Sequence, residues 1–225
     1  MVRKLILVIS LLSSSYLSAN ESICYGTTSN GRLEGGVQLP SNGKNFTSYS
    51  LLAELAGRTY VHSTVYDIVV SSYEQLSYEL PDKVYKYAET GFESGGRFRP
   101  HKTHRNGLSV DFMTPVIDST GKSVHLPTHP FNKFGYNIEF DKNEKYGGLS
   151  IDYDSMAAHI VALHKEALKH GVNLWRVIFD PQLQPGLFKT KYGAYLKRHV
   201  KFSKKRSWVR HDDHYHVDFA VPCRK

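Results

Sequence analysis

The chain is 225 residues long, 40% hydrophobic, 12% aromatic and 22% charged, with a formal charge of +8. That length and apolar content allow a sizeable core and exclude a disordered or low-complexity chain. The basic balance leaves nucleic acid, anionic lipid and anionic wall polymer open as partners, since net charge governs long-range attraction rather than fold.

Residues 1–19, MVRKLILVISLLSSSYLSA, carry a basic tip (Arg3, Lys4), an apolar run from Leu5 to Leu12 and small residues up to Ala19. This is the pattern of a secretory signal peptide cleaved after Ala19. Its apolar run is shorter than the ~20 residues that span a bilayer. The expected mature chain, 20–225, is one domain, exported to the periplasm or secreted, without an integral membrane segment. It holds 27 basic and 21 acidic residues, a formal +6. The only dense basic run, KFSKKRSWVR at 201–210, reads as a solvated loop or helix end. No nucleic-acid-binding motif accompanies the charge, so nucleic acid is not an expected partner. The sequence carries no signal for oligomeric state.

The two cysteines, Cys24 and Cys223, stand at opposite ends of the mature chain. In an oxidising compartment they read as a disulfide tying the termini together.

Residues 24–50, rich in Gly, Ser, Thr and Asn, read as an irregular opening segment. Helical spacing of apolar residues follows from 63 to 79, capped by Ser63 or Thr64. KVYKYAET after Pro81 is a strand, and GFESGGRFRP is a loop in which Gly95-Gly96 makes a turn and Arg97 is free to pair with a peptide carboxylate. NGLSVDFM begins a second strand. Residues 114–150, with Pro115, Gly121, Pro127, Pro130 and Gly147-Gly148, form a long irregular excursion, a kind of loop that more often serves function. From Asp154 to His170, Met156, Ile160, Leu163 and Ala167 fall on one stripe of a helix capped by Asp154 and ended by Gly171. VNLWRVIF is a strand, 181–200 a helix interrupted near Gly186 and Gly193, and HYHVDFAV the last strand.

Two blocks carry the chemistry: HKTHRNGLSVD at 101–111 and HDDHYHVDF at 211–219. In the first, Leu108, Val110 and Phe112 alternate with Ser109 and Asp111; in the second, Tyr215, Val217 and Phe219 alternate with His214, His216 and Asp218. Period-two alternation sends the apolar sets to a core face and the polar sets to the other. If the strands are neighbours, Asp111 and His216 can converge on one ion, with His104 supplied by the incoming loop. Imidazole and carboxylate without thiolate favour a catalytic zinc with an open position, although ligand type alone leaves iron and manganese open. A lone His-x-His is a weak signal; the conjunction of both blocks with correct strand parity is stronger.

At these residues the chain resembles the penicillin-insensitive murein endopeptidases, within the wider zinc-peptidase group of lysostaphin-type enzymes, D-alanyl-D-alanine peptidases and the hedgehog signalling domain. SNGRLEGGVQLP, GFESGGRFRPHKTHRNGLSVDF, WRVIFDPQL and WVRHDDHYHVDF resemble the corresponding family segments in the same order. The resemblance implies one zinc ion held by His104, Asp111 and His216. It implies that His214 acts as catalytic base or transition-state stabiliser, with His101 and His211 lining the same cleft. The family often carries an acidic residue where this chain has Ser109.

Among Asp212, Asp213 and Asp218, only Asp218 shares the strand parity of His216 as a partner for its ring, though on its own it reads as a surface carboxylate. The remaining histidines, His159 and His170 on the helix included, read as exposed or packing residues. The expected protein is an exported α+β zinc peptidase, a small central antiparallel sheet flanked by helices and long loops, acting on the stem peptides of peptidoglycan at the D-alanyl–diaminopimelyl crosslink. The alternatives are a peptidase or carboxypeptidase cutting another stem-peptide bond, and a non-catalytic zinc-containing wall-binding protein.

Overall fold

The computed structural model describes residues 21–207 and 209–225. The expected signal peptide, 1–19, and Trp208 in the basic run lie outside the described residues.

The opening segment is not irregular. It forms a hairpin of β1 (Ile23–Thr27) and β2 (Asn30–Glu34), then β3 (Val37–Gln38) and β4 (Phe46–Ser48). Strands of two to five residues are too short to show a period, and the Gly, Asn and Ser that suggest irregular structure here mark the turns between them. The short helix α1 (Leu51–Leu55) and strand β5 (Tyr60–Val61) follow.

Helix α2 (Ser63–Glu79) buries Val65, Ile68, Val69, Tyr73 and Leu76 on one stripe. Its cap is His62 rather than Ser63 or Thr64: the ring accepts from the Thr64 N–H at 3.1 Å. Strands β6 (Tyr85–Tyr87) and β7 (Ser109–Met113) come next.

The 114–150 excursion is also more ordered than its composition suggests. Strands β8 (Val116–Ile117), β9 (Ser123–Val124), β10 (Lys145–Tyr146) and β11 (Leu149–Ile151) make an antiparallel sheet in the order β10-β11-β8-β9, interrupted by a 3-10 turn at Pro130–Gly135.

Helix α3 (Tyr153–Lys169) begins one residue earlier than expected, because Asp152, not Asp154, accepts from the Ser155 N–H at 3.0 Å. Asp152 also pairs with Lys83 at 2.7 Å. Strand β12 (Leu174–Ile178) leads to α4 (Gln184–Lys189) and α5 (Gly193–His199), and β13 (His214–Phe219) closes the sheet. Gly186 does not interrupt its helix. It sits inside α4, where an added Cβ would lie 2.3 Å from the Tyr153 ring.

The principal sheet has the order β12-β13-β7-β6-β4. It is antiparallel except for the β4–β6 pair, which is parallel. Helices α2 and α3 pack on its apolar face, where Tyr73 stacks on His159 and both meet Phe112. Cys24 and Cys223 are disulfide-bonded, and the Gly26 N–H to Arg224 carbonyl bond of 2.8 Å ties the same ends. No helix among the described residues is long and apolar enough to cross a membrane.

Candidate active site

Strands β7 and β13 lie side by side at the centre of the sheet, with Asp111 opposite His216 and Ser109 opposite Asp218. Directly opposed residues share a face, so strand parity carries over into the tertiary structure. Val110, Phe112, Tyr215 and Val217 enter the core, while Asp111, His214 and His216 face the other way, at the floor of a cleft of about 640 Å³. Residues 100–103, Lys133 and Tyr136, and Ser207, Val209, His211 and Asp213 form its walls.

Asp111 is the hub. Its Oδ1 lies 2.8 Å from His216 Nδ1 and 3.3 Å from His104 Nε2. Its Oδ2 accepts the Tyr136 hydroxyl at 2.8 Å, with His214 Nε2 at 3.7 Å and His101 Nδ1 at 3.9 Å. Burial alone would raise the Asp111 pKa, but the imidazoles of His104, His214 and His216 outweigh it and hold the group well below the usual carboxylate range.

Each imidazole is oriented through its other nitrogen. His104, fully buried at φ 65°, donates from Nδ1 to the Thr90 carbonyl at 3.0 Å. His216 is held at Nε2 by Asp218 at 2.9 Å. Asp218 is fully buried rather than at the surface: it also accepts from Ser109 Oγ and Arg176 Nε, each at 2.6 Å. Arg176, which β12 supplies, makes burial of that carboxylate tolerable. Burial opposes protonation of His216, but Asp218 and Asp111 raise its pKa to about 10. His214 Nδ1 pairs with Asp213 at 3.0 Å, and its pKa is likewise raised against burial by Asp213 and Asp111.

His101 and His211 both line the cleft. His101 Nε2 meets Glu89 at 2.7 Å. His211, in left-handed backbone at φ 54°, donates from Nδ1 to the Val209 carbonyl at 3.0 Å. Burial, with His214 beside it, pushes its pKa down to about 3, so the ring is neutral. Arg97 is exposed and is not among the residues lining the cleft.

Glu89 and Tyr136 are the contributors that sequence reasoning missed. Glu89 is clasped by Arg58 at 2.6 and 2.7 Å and by Tyr49 at 2.8 Å. Burial opposes its ionisation, yet His101 and Arg58 lower its pKa to about 2. Neither residue belongs to a recognisable motif, so nothing in the primary structure singles them out. Asp213, adjacent to His214, was legible only as one of three acidic candidates.

The residues fit a metal ion. His104 Nε2 is buried without a hydrogen-bond partner, and because Nδ1 carries the proton, its lone pair points at the Asp111 carboxylate. Two electron-rich atoms so placed in a dry site call for a cation between them. Ligand atoms of His101, His104 and Asp111 lie within 4.8 Å of one another and can hold an ion.

An α+β fold that gathers imidazoles and carboxylates, with no thiolate, on one sheet face beneath a cleft presents the kind of centre found in metal-dependent hydrolases. Residues 24–225 match the family model described as penicillin-insensitive murein endopeptidase, and the chain belongs to that family. It is therefore a peptidase of the murein-cleaving class. No curated protein matches the chain significantly.

Proposed function

We propose that the protein is an exported zinc-dependent endopeptidase, with residues 20–225 as one catalytic domain, that hydrolyses D-alanyl–diaminopimelyl crosslinks of peptidoglycan. The observation that carries this reading is the unpartnered, fully buried Nε2 of His104 facing the Asp111 oxygen that His216 Nδ1 also approaches. His104, Asp111 and His216 would hold the ion. His216 is favoured over His101 as third ligand because its Nδ1 addresses the same carboxylate oxygen as His104, whereas His101 lies nearer the other one.

The chemistry such an ion supplies is activation of water near neutral pH and polarisation of the scissile carbonyl. The chain's own residues do the rest. His214, tied at Nδ1 by Asp213, is left with Nε2 on the Asp111 side of the cleft, placed to take a proton or to hydrogen-bond a developing oxyanion. The same nitrogen can then return the proton to the leaving amine. His211, neutral and beside His214 with ring centroids 4.7 Å apart, and His101, braced by Glu89, shape the walls between which the peptide would lie. Export to the periplasm or beyond would bring this site to its polymer.

The test is incubation of the mature protein with crosslinked sacculi, with and without chelator, followed by mass analysis of the released muropeptides. Dimers converted to monomers only when metal is present support the endopeptidase. Intact crosslinks with shortened stems indicate a carboxypeptidase instead, and tight sacculus binding with no product under any metal condition sinks the enzymatic reading.

A further inference from the structure

Tyr136 reaches the floor of the cleft from the 114–150 excursion, and its hydroxyl is saturated in a way that leaves one orientation. The Glu89 N–H can only donate and lies 3.2 Å from the phenol oxygen; the Asp111 carboxylate can only accept and lies 2.8 Å from it. The single phenolic proton must therefore point at Asp111 Oδ2. We infer that Tyr136 is a positioning residue for the metal-binding carboxylate: its hydroxyl holds Asp111 Oδ2, so that Oδ1 is the oxygen presented to the ion with His104 Nε2 and His216 Nδ1. This rests on the ligand set proposed above.

The backbone that delivers Tyr136 has the strained character of a functional segment. Lys133, Phe134 and Gly135 stand in succession at φ 51°, 56° and 99°. The first two residues pay a steric cost there that persists only where the surroundings enforce it. Asn132 does the enforcing: Oδ1 accepts from the His129 and Gly135 N–H groups at 3.0 and 2.9 Å, while Nδ2 donates to the Pro127 carbonyl at 2.9 Å. Gly135, at φ 99°, holds a backbone conformation that L side chains rarely adopt, so glycine is the residue that fits there. The result sets the Tyr136 ring against His214 and His101, at centroid distances of 4.7 and 5.5 Å. One phenol thus touches the carboxylate hub and the histidines around it.

The experiment is zinc affinity by chelator competition on the full mature chain, comparing wild type, Tyr136→Phe and Tyr49→Phe. Phe at 136 keeps the ring and removes only the hydroxyl, and affinity is expected to fall about 10- to 100-fold, as for other groups that orient a metal ligand. Tyr49→Phe removes a neighbouring buried phenol that bonds Glu89 but not Asp111, and is expected to leave affinity unchanged. Unchanged affinity in Tyr136→Phe, or equal losses in both variants, overturns the role of Tyr136 alone. No zinc binding by the wild-type chain overturns the ligand assignment itself. A crystal structure of the zinc-loaded wild type tests the same point without a variant. Asp111 bound through Oδ1 with Oδ2 on Tyr136 is expected, and bidentate binding with the phenol turned away overturns the inference.

Discussion

Asp218 accepts a hydrogen bond from Nε2 of His216 at 2.9 Å and so turns Nδ1 of that ring toward Asp111, 2.8 Å away. The carboxylate sits two residues along the same strand, on the same face, and Arg176 from the adjacent strand balances its charge. Asp218→Asn keeps the shape but removes the charge that orients and enriches the ring. Metal affinity is expected to drop about 10- to 100-fold. Chelator competition reads this directly, and wild-type affinity in the variant would refute the role given to Asp218.

His214 is held by Asp213 and is not needed as a ligand in the proposed set. His214→Ala should therefore retain one equivalent of zinc by elemental analysis while muropeptide release slows by about 10²- to 10⁴-fold, the range for loss of a positioned acid–base group. Loss of the metal together with activity would show instead that His214 is a ligand.

His159 is a titration switch for stability far from the chemistry. It is fully buried against Tyr73, Phe112 and Tyr215, bonded to the Tyr215 hydroxyl, and burial lowers its pKa to about 3. Because the unfolded chain binds this proton more readily, the contribution is complete above about pH 6.5 and is lost as the pH falls toward 3. Between pH 7 and 4.5, denaturant melts of wild type should lose about 2–3 kcal/mol more than those of His159→Gln. Equal losses would mean that other groups carry the acid sensitivity.

The Cys24–Cys223 disulfide spans 199 residues of sequence. Its removal, by Cys24→Ser with Cys223→Ser, is expected to cost about 3–5 kcal/mol, chiefly through the greater freedom of the unfolded chain. The backbone bonds Gly26 to Arg224 and Arg224 to Cys24 remain, so the native termini should stay paired. The urea midpoint measures the loss, and a reduced protein as stable as the oxidised one would contradict it.

How much could be read in advance follows from the range of each signal. The alternation in 108–112 and 214–219 separated core from site because side-chain direction in a strand depends only on neighbouring residues. The long helices at 63–79 and 153–169 announced themselves through five turns of apolar stripe, yet both caps were misplaced by one or two residues, since His62 and Asp152 compete locally with adjacent capping types. The strands in 24–50 and 114–150 are too short for any period to emerge.

The primary structure by itself determined which residue types stand on which face of two strands, and through them the imidazole–carboxylate chemistry of the centre. Only the tertiary structure decided how those groups are aimed. The β7–β13 register set Asp111 opposite His216, Arg176 made a buried Asp218 tolerable, and an Asn132-clamped turn brought Tyr136 to Asp111. The pairings of Tyr136 and His216 with Asp111 and of Arg176 with Asp218 join residues 25 to 105 positions apart, and no local pattern encodes a hydrogen bond between segments that meet only when the chain has folded.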